Sequence, residues 1–559
     1  MTQSLTKFQK AIRLYHTVKY LKPIQIYTRF KRKIIRPKIS NVAYPPQQRS
    51  FGSNPVFLFK GECLNNKNEA CFLGETHVLT SNVWNDAQIE KLWLYNLHYF
   101  DDLNSESWEE KKERHKNLIT RWIEENPIGY GNGWEAYPSS LRIVNWIKYL
   151  HKNTEIESKI RESLASQINY LIQNLEYHLL GNHLLANAKA LVFAGLNFGG
   201  EQGDKWLAFG VELYQKELAE QVLADGGNFE LSPMYHSTLL EDLLDLNSLF
   251  LACKSKEIKG TPKVFFESLP QIILSMFTWL EAMTHPDGKI SFFNDAAFNI
   301  APTYKMLKGF ACKLGHSIKD TKYRCKDLKE SGYIRVNQEE VSVIIDAAIV
   351  GPDYIPGHAH ADTLSFELSI GKQRVFVNSG TSQYGTGAER ERQRGSSAHN
   401  CLLLNQHNSS EVWGGFRVAR RAKVVGRKVE EKKEEIVVTA THDGYQTIYD
   451  LGNHERQWSF KNGAMEIKDT VRGNRKGEIE CRFHLHPLIV VEKMPENNKY
   501  TLSYQKKELG VFTLDSKLTS EMRDTTYHPE FGKSEETKVI VGRAKLKPEQ
   551  TLQTLFTWN

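Results

Sequence analysis

Residues 363–380 read TLSFELSIGKQRVFVNSG, and here the chain changes its habit. Leu364, Phe366, Leu368 and Ile370 alternate with smaller or polar residues, the period of two that lays one face of a strand on a core. Gly371-Lys372 then turns the chain into Val375 and Val377, which predicts a β-hairpin. VSVIIDAAIV before it, and EIVVTAT, QWSFKNGAMEIKDTV with an Asn462-Gly463 turn, ECRFHLHP and TLQTLFTW after it, read the same way. Strands at this density predict an antiparallel β-sandwich over residues 326–559.

Toward the N-terminus the period lengthens. LLANAKALVFAGL at 184–196 puts Leu184, Ala188, Leu191 and Gly195 on one stripe, and TLLEDLLDLNSLFLA at 238–252 does the same with Leu239, Leu243, Leu246 and Phe250. Residues 62–325 therefore read as an all-α domain whose helices are joined by short Gly, Asn or Pro turns, and chemistry is expected between the two domains.

The first 61 residues stand apart. They hold 13 Lys and Arg and no acid, whereas the rest of the chain carries six more acids than bases, so the net charge of +7 belongs to this arm. A general nucleic-acid-binding reading loses its support. Phe8, Ile12, Tyr15 and Val18 have helical spacing with cations interleaved, and Pro23 should break the segment. Residues 1–38 are expected either to lie on an anionic membrane or to pack as a collar on the acidic body. No secretory signal is recognised, which points to the cytoplasm or the cytoplasmic face of an inner membrane. The seven cysteines are scattered and odd in number, which argues against a disulfide framework or zinc finger.

Four stretches carry groups that a packed core would not choose. In GNHLLANAKAL, Asn182 has an N-cap position and His183 enters the first turn; the pair can be a structural cap or an anion site. In DGGNFELSPMYH, Tyr235 and His236 precede a long helix. In PGHAHAD, His358 and His360 sit one residue apart and would share a face in a strand, as two metal ligands, as a catalyst beside a ligand, or as turn residues. In RGSSAHNCLLLN, His399 could reach His360 through sheet pairing. GWEAYPSSLRIVNW adds Trp134, Tyr137 and Arg142, residue types that a sugar groove uses for stacking and carboxylate contact.

WLYNLHYFD, GWEAYPSSLRIVNWIKYL, GNHLLANAKALVFAG, DGGNFELSPMYH, HPDGKISFFND and GHAHADTLSFEL, in this order, resemble the heparinase II/III-like polysaccharide lyases. The resemblance implies an incomplete (α/α) toroid followed by an antiparallel β-sandwich. It also implies β-elimination on a uronic-acid polymer: loss of the C5 proton, expulsion of the C4 oxygen and a 4,5-unsaturated product. By resemblance Asn182 and His183 would neutralise the carboxylate. Tyr235 would be the acid and, in a syn elimination, also the base, with His358 the base for the opposite epimer; His and Arg are expected around Tyr235 to favour its phenolate. His236 joins Trp134, Tyr137 and Arg142 as a substrate-binding candidate.

In relatives the histidine at His360 holds a structural metal, often zinc, with an Asp and a later His. His399 fits the latter, but the Asp position falls on Asn378. A neutral amide is a poorer ligand, so the site would be empty, weaker or completed by a group such as Asp362. A uronyl C5-epimerase, or a non-catalytic protein of polysaccharide biosynthesis, stays open as an alternative.

Overall fold

The computed structural model describes residues 6–39, 47–153, 158–254, 258–461 and 463–558. Helices α1 (Lys7–Val18) and α2 (Pro23–Ile34) precede α3 (Lys91–Tyr99), α4 (Lys112–Glu125), α5 (Ala136–Lys152), α6 (Ser158–Gln173), α7 (Gly181–Asn197), α8 (Gly200–Gln221), α9 (Pro233–Ala252), α10 (Gly260–Ala282) and α11 (Tyr304–Lys313). Helices α3, α5, α7, α9 and α11 neighbour one another in that order, while α8 and α10 pack behind them. This is the expected (α/α) arrangement, with a small hairpin, Glu69–Phe72 and Glu75–Val78, added ahead of it.

The stripe read on α7 is only part of its buried surface: every residue from Leu184 to Asn197 is buried. A helix enclosed by two layers has no wet face, so periodicity understates its burial. Close approach of α8 is built into the sequence, because a Cβ on Gly195 would lie 2.4 Å from Leu207 N and one on Gly210 2.8 Å from Val192 N. Between the inner helices Lys148 Nζ and Lys189 Nζ meet Asp245 Oδ2 at 2.6 and 2.8 Å, which pairs buried charges that would otherwise be very costly.

The paired strands described in the second half are all antiparallel. Strands Cys325–Asp327, Tyr333–Gln338, Val341–Asp346, Phe366–Ile370 and Gln373–Phe376 form one sheet in chain order. An eight-stranded sheet runs from Val424–Glu431 at one edge to Val490–Lys493 at the other, and a four-stranded sheet joins Thr519–Tyr527, Glu535–Leu546, Gly477–His484 and Leu402–Leu404. Phe366, Trp458, Phe483 and Phe512 draw all three sheets onto one core. Leu364, expected in the hairpin strand, has φ +68°, so the strand starts at Phe366. The predicted turn after Lys461 joins paired strands, Lys461 facing Ala464, although Asn462 lies outside the described residues.

The arm is helical and breaks at Pro23, as its sequence indicated. Its polar side faces inward. Gln25 is 1% exposed, and its Nε2 donates to Leu179 O of the helical half (3.2 Å) and Tyr354 O of the β half (3.3 Å). Tyr27, Phe30 and Ile34, on the other side, are 61, 63 and 82% exposed. Trp413 Nε1 donates to Thr17 Oγ1 at 3.2 Å, so α1 also touches the β half. Among the described residues no helix is long and apolar enough to cross a membrane.

Candidate active site

The N-terminal ends of α7 and α9, with α5 beside them, meet two segments of the β half, the loop 351–365 and residues 380–399, which include the short helix Ala388–Arg394. Contact is close: a Cβ on Gly181 would lie 2.7 Å from Ile355 Cδ1. Asn182 is not the N-cap of α7. Leu180, at φ +68°, holds that position without a side-chain cap, which puts Asn182 and His183 inside the first turn. There the Asn182 N–H donates to Glu230 Oε1 (3.3 Å), and its Oδ1 is buried without a partner.

His183 Nδ1 lies 3.3 Å from Glu176 Oε1, and the Tyr137 ring sits 4.5 Å from the imidazole. Burial disfavours a charged His183, yet the Glu176 carboxylate outweighs it and moves the pKa up. Glu176 also resists burial, held below its ordinary value by His183 and Asn187. The rim thus offers an imidazole held toward its charged form, with an exposed edge, beside the Asn182 amide.

Tyr235 lies within the first turn of α9, not ahead of it, because Ser232 caps that helix by accepting from Tyr235 N (3.3 Å). Its ring stacks on His358 with centroids 4.0 Å apart, and its OH is 2.8 Å from Tyr384 Oη. Burial and the Tyr384 neighbour push the Tyr235 pKa well above 10. The expected His and Arg do stand near Tyr235, as His358 and Arg390, but Arg390 is engaged by a carboxylate and the phenol is pushed away from its phenolate form.

That carboxylate is Asp295. It accepts from His358 Nδ1 and His360 Nε2, both at 2.9 Å, and from both Arg390 terminal nitrogens, Nη2 at 2.7 Å. Burial opposes its ionisation, but Arg390 and the two imidazole donors hold the carboxyl well below its usual range. An ionised carboxylate can only accept, so the protons on His358 Nδ1 and His360 Nε2 are assigned by it. His358 Nε2 lies 3.6 Å from Glu230 Oε2. The two histidines therefore share a carboxylate from within a loop, not a strand face.

His360 turns Nδ1 toward His399 Nε2 at 3.3 Å; they meet through loops, since the strand after His399 pairs with Gly477–His484. Ligand atoms of His360, Asp362 and His399 lie within 4.8 Å of one another, all buried. Burial pushes the imidazoles down to about 4 and about 3, so both are neutral, as ligation requires. A His2Asp donor set fits a divalent ion such as zinc. Asn378, the position expected to carry an Asp, is buried, and its Oδ1 accepts from Asn400 N at 3.5 Å.

Three sugar-groove candidates belong to the core instead. Arg142 is fully buried over the Trp122 ring (3.8 Å), with Nε donating to Gln167 Oε1 (2.9 Å). His236 accepts from Asn228 N (3.2 Å), faces Met276 O (2.9 Å) and stacks on Trp279, and burial brings its pKa down to about 3. Trp134 is 4% exposed and donates to Asn126 O. Asp295, Glu230, Glu176, Tyr384 and Arg390 escaped the sequence reading. Asp295 and Glu230 stand in HPDGKISFFND and DGGNFELSPMYH, where an acid amid loop formers was the available signal; Tyr384 and Arg390 had none.

Two family models match the chain: Heparinase II/III N-terminus over residues 103–312 and Heparinase II/III-like, C-terminal, over residues 320–556. A heparin-sulfate lyase of Bacteroides stercoris is 25% identical over 334 residues, covering 55% of this chain and 46% of that protein. One of Pedobacter heparinus is 25% identical over 439 residues, covering 71% and 62%. The chain thus spans about half the length of the curated relatives it matches. Among solved structures, heparinase III superposes with TM-score 0.66 at 18% identity over 84% of this chain and 76% of that one. Heparan sulfate lyase HepC from Pedobacter heparinus superposes at 0.59 and 19% identity over 96% and 87%. These likenesses concern the fold.

Proposed function

The chain belongs to the heparinase II/III-like family, and from that premise we propose that it cleaves a uronic-acid-containing polysaccharide by β-elimination. The observation that carries the reading is the stacked pair, His358 oriented through Nδ1 by Asp295 and Tyr235 with a retained proton, beside the His183 and Asn182 rim. A uronate carboxylate at that rim meets the His183 cation and the Asn182 amide, which offsets the charge that grows when C5 loses its proton. His358 Nε2 takes that proton, the C4–O bond breaks as C4=C5 forms, and the Tyr235 hydroxyl donates a proton to the departing oxygen.

The test is incubation with heparan sulfate, hyaluronan, chondroitin and alginate while far-ultraviolet absorbance of the unsaturated uronate is followed. A rise is expected that Tyr235→Phe abolishes while oligosaccharide binding survives; turnover retained by that variant rejects the acid assignment. A flat trace with deuterium exchange at C5 would establish the epimerase alternative, and a flat trace without exchange a binding role.

The metal reading attaches to the same site. His360, Asp362 and His399 would hold a divalent cation, zinc by its donor set, which would supply fixed positive charge bracing the His358 loop. Elemental analysis after preparation with zinc present should find about one equivalent, lost in His399→Ala.

The arm supports peripheral contact with an anionic membrane. Phe8, Tyr15, Tyr27, Phe30 and Ile34 are exposed on two helices that carry cations and no acid of their own, the composition of an interfacial helix. Deleting residues 1–38 should release the protein from anionic vesicles; unchanged co-sedimentation rejects it.

A further inference from the structure

We propose that the inward side of the arm adds a subsite for an anionic sugar to the substrate groove, an inference that rests on the uronate-polymer reading above. Between α2 and the helical half lies a cavity of about 510 Å3, lined by Lys31, Arg32 and Arg36 of the arm and by Trp134, Glu135 and Tyr170 of the body. Its size falls within the ~300–1,000 Å3 usual for ligand sites. The arm lies outside both matched family segments, so the cavity wall it forms is a feature of this chain beyond them.

The charge in the cavity is uncompensated. Among the described residues, the arm's ion pairs run through Arg13, Lys22, Arg49 and Lys60, and none involves Lys31, Arg32 or Arg36. Arg32 Nη1 lies 2.8 Å from His178 Nδ1, but burial and Arg32 itself bring that imidazole down to about 4, so it is a neutral partner. The acid in the lining, Glu135, is already engaged by Lys91 at 2.9 Å and by the Tyr95 hydroxyl. Three cations beside the half-buried ring of Tyr170 suit a sugar ring that carries a carboxylate or sulfate.

The cavity shares its walls with the catalytic rim. Glu135 lies two residues before Tyr137, whose ring meets His183. Leu175 and Tyr177 line the cavity, and Glu176 between them holds His183. On this proposal a polymer seated at Asn182 and His183 continues toward the arm, and Arg32 and Lys31 hold a sugar beyond the reacting one.

Calorimetry in a Tyr235→Phe background, where bound saccharide is not consumed, separates the two sites by ligand length. The probes are a heparan-sulfate disaccharide and octasaccharides of heparan sulfate, hyaluronan, chondroitin and alginate. Combining Lys31→Ala, Arg32→Ala and Arg36→Ala should weaken the best octasaccharide by about tenfold or more, less so at high salt, and leave the disaccharide unchanged. Tyr170→Ala, on the body side, should weaken the octasaccharide too. Unchanged octasaccharide affinity, equal loss at both lengths, no octasaccharide bound by the intact arm, or loss of vesicle binding alone would each overturn the subsite. If length-dependent binding follows the arm cations but the wild type makes no unsaturated product, the lyase reading falls and the subsite stands.

Discussion

The two walls of the candidate site are built in opposite ways. On the helical side, a polar group has unused donor capacity: His183 keeps an exposed edge on a ring held toward its charged form. On the β side, His358, His360 and Arg390 are all fixed on one carboxylate, Asp295 from the α10–α11 connection of the helical half, which they saturate. A wall that must receive a charged ligand is left incomplete. A wall that must deliver one nitrogen lone pair in one direction is over-determined.

The largest effect should come from breaking the β wall. Asp295→Asn removes the acceptor that assigns the His358 tautomer and is expected to lower turnover by about 10²–10⁴-fold, with KM little changed. The same change leaves Arg390 buried without its carboxylate, so the melting temperature should drop as well. Turnover near wild type at a temperature where the variant stays folded would show that the rigid wall is not what orients His358.

Breaking the helical wall should act on binding first. His183→Ala deletes one charge-assisted contact of about 1.5–3 kcal/mol, which predicts a rise in KM of roughly 10–100-fold for a uronate substrate. A pure loss of kcat would sink the distinction between the walls.

The smallest effect tests a histidine that belongs to neither wall. His236 has a folded pKa of about 3, below the unfolded 6.5, so its contribution to stability is full above pH 6.5 and is lost as pH falls through that window toward 3. At pH 5 the neutral imidazole contributes roughly 2 kcal/mol less than at pH 7. Chemical unfolding of His236→Gln between pH 7 and 5 should show a shallower decline than the wild type, and identical slopes would refute the assignment.

The mistakes of the sequence reading have a common cause. Arg142, His236 and Trp134 are residue types that serve both grooves and cores, and their partners Gln167, Met276 and Asn126 show no local pattern that would tell which. Asn182 and Tyr235 were placed one position class too early, because Leu180 and Ser232 cap their helices. Asp362 was considered as a ligand only in place of Asn378, and the fold brings its carboxylate to His360 and His399.

The sequence by itself determined the order of an α region and a β region, the break of the arm at Pro23 and the set of stretches in which Asn182, His183, Tyr235 and His358 occur. Those features depend on periodicity, proline chemistry and composition, which act over a few neighbouring residues. Only the tertiary structure decided that Asp295 receives His358 from 63 residues away and Arg390 from 95, and that Tyr235 keeps its proton against Tyr384. Proton positions follow from burial and from which donors reach one oxygen, and both are set by chain segments that meet only after folding.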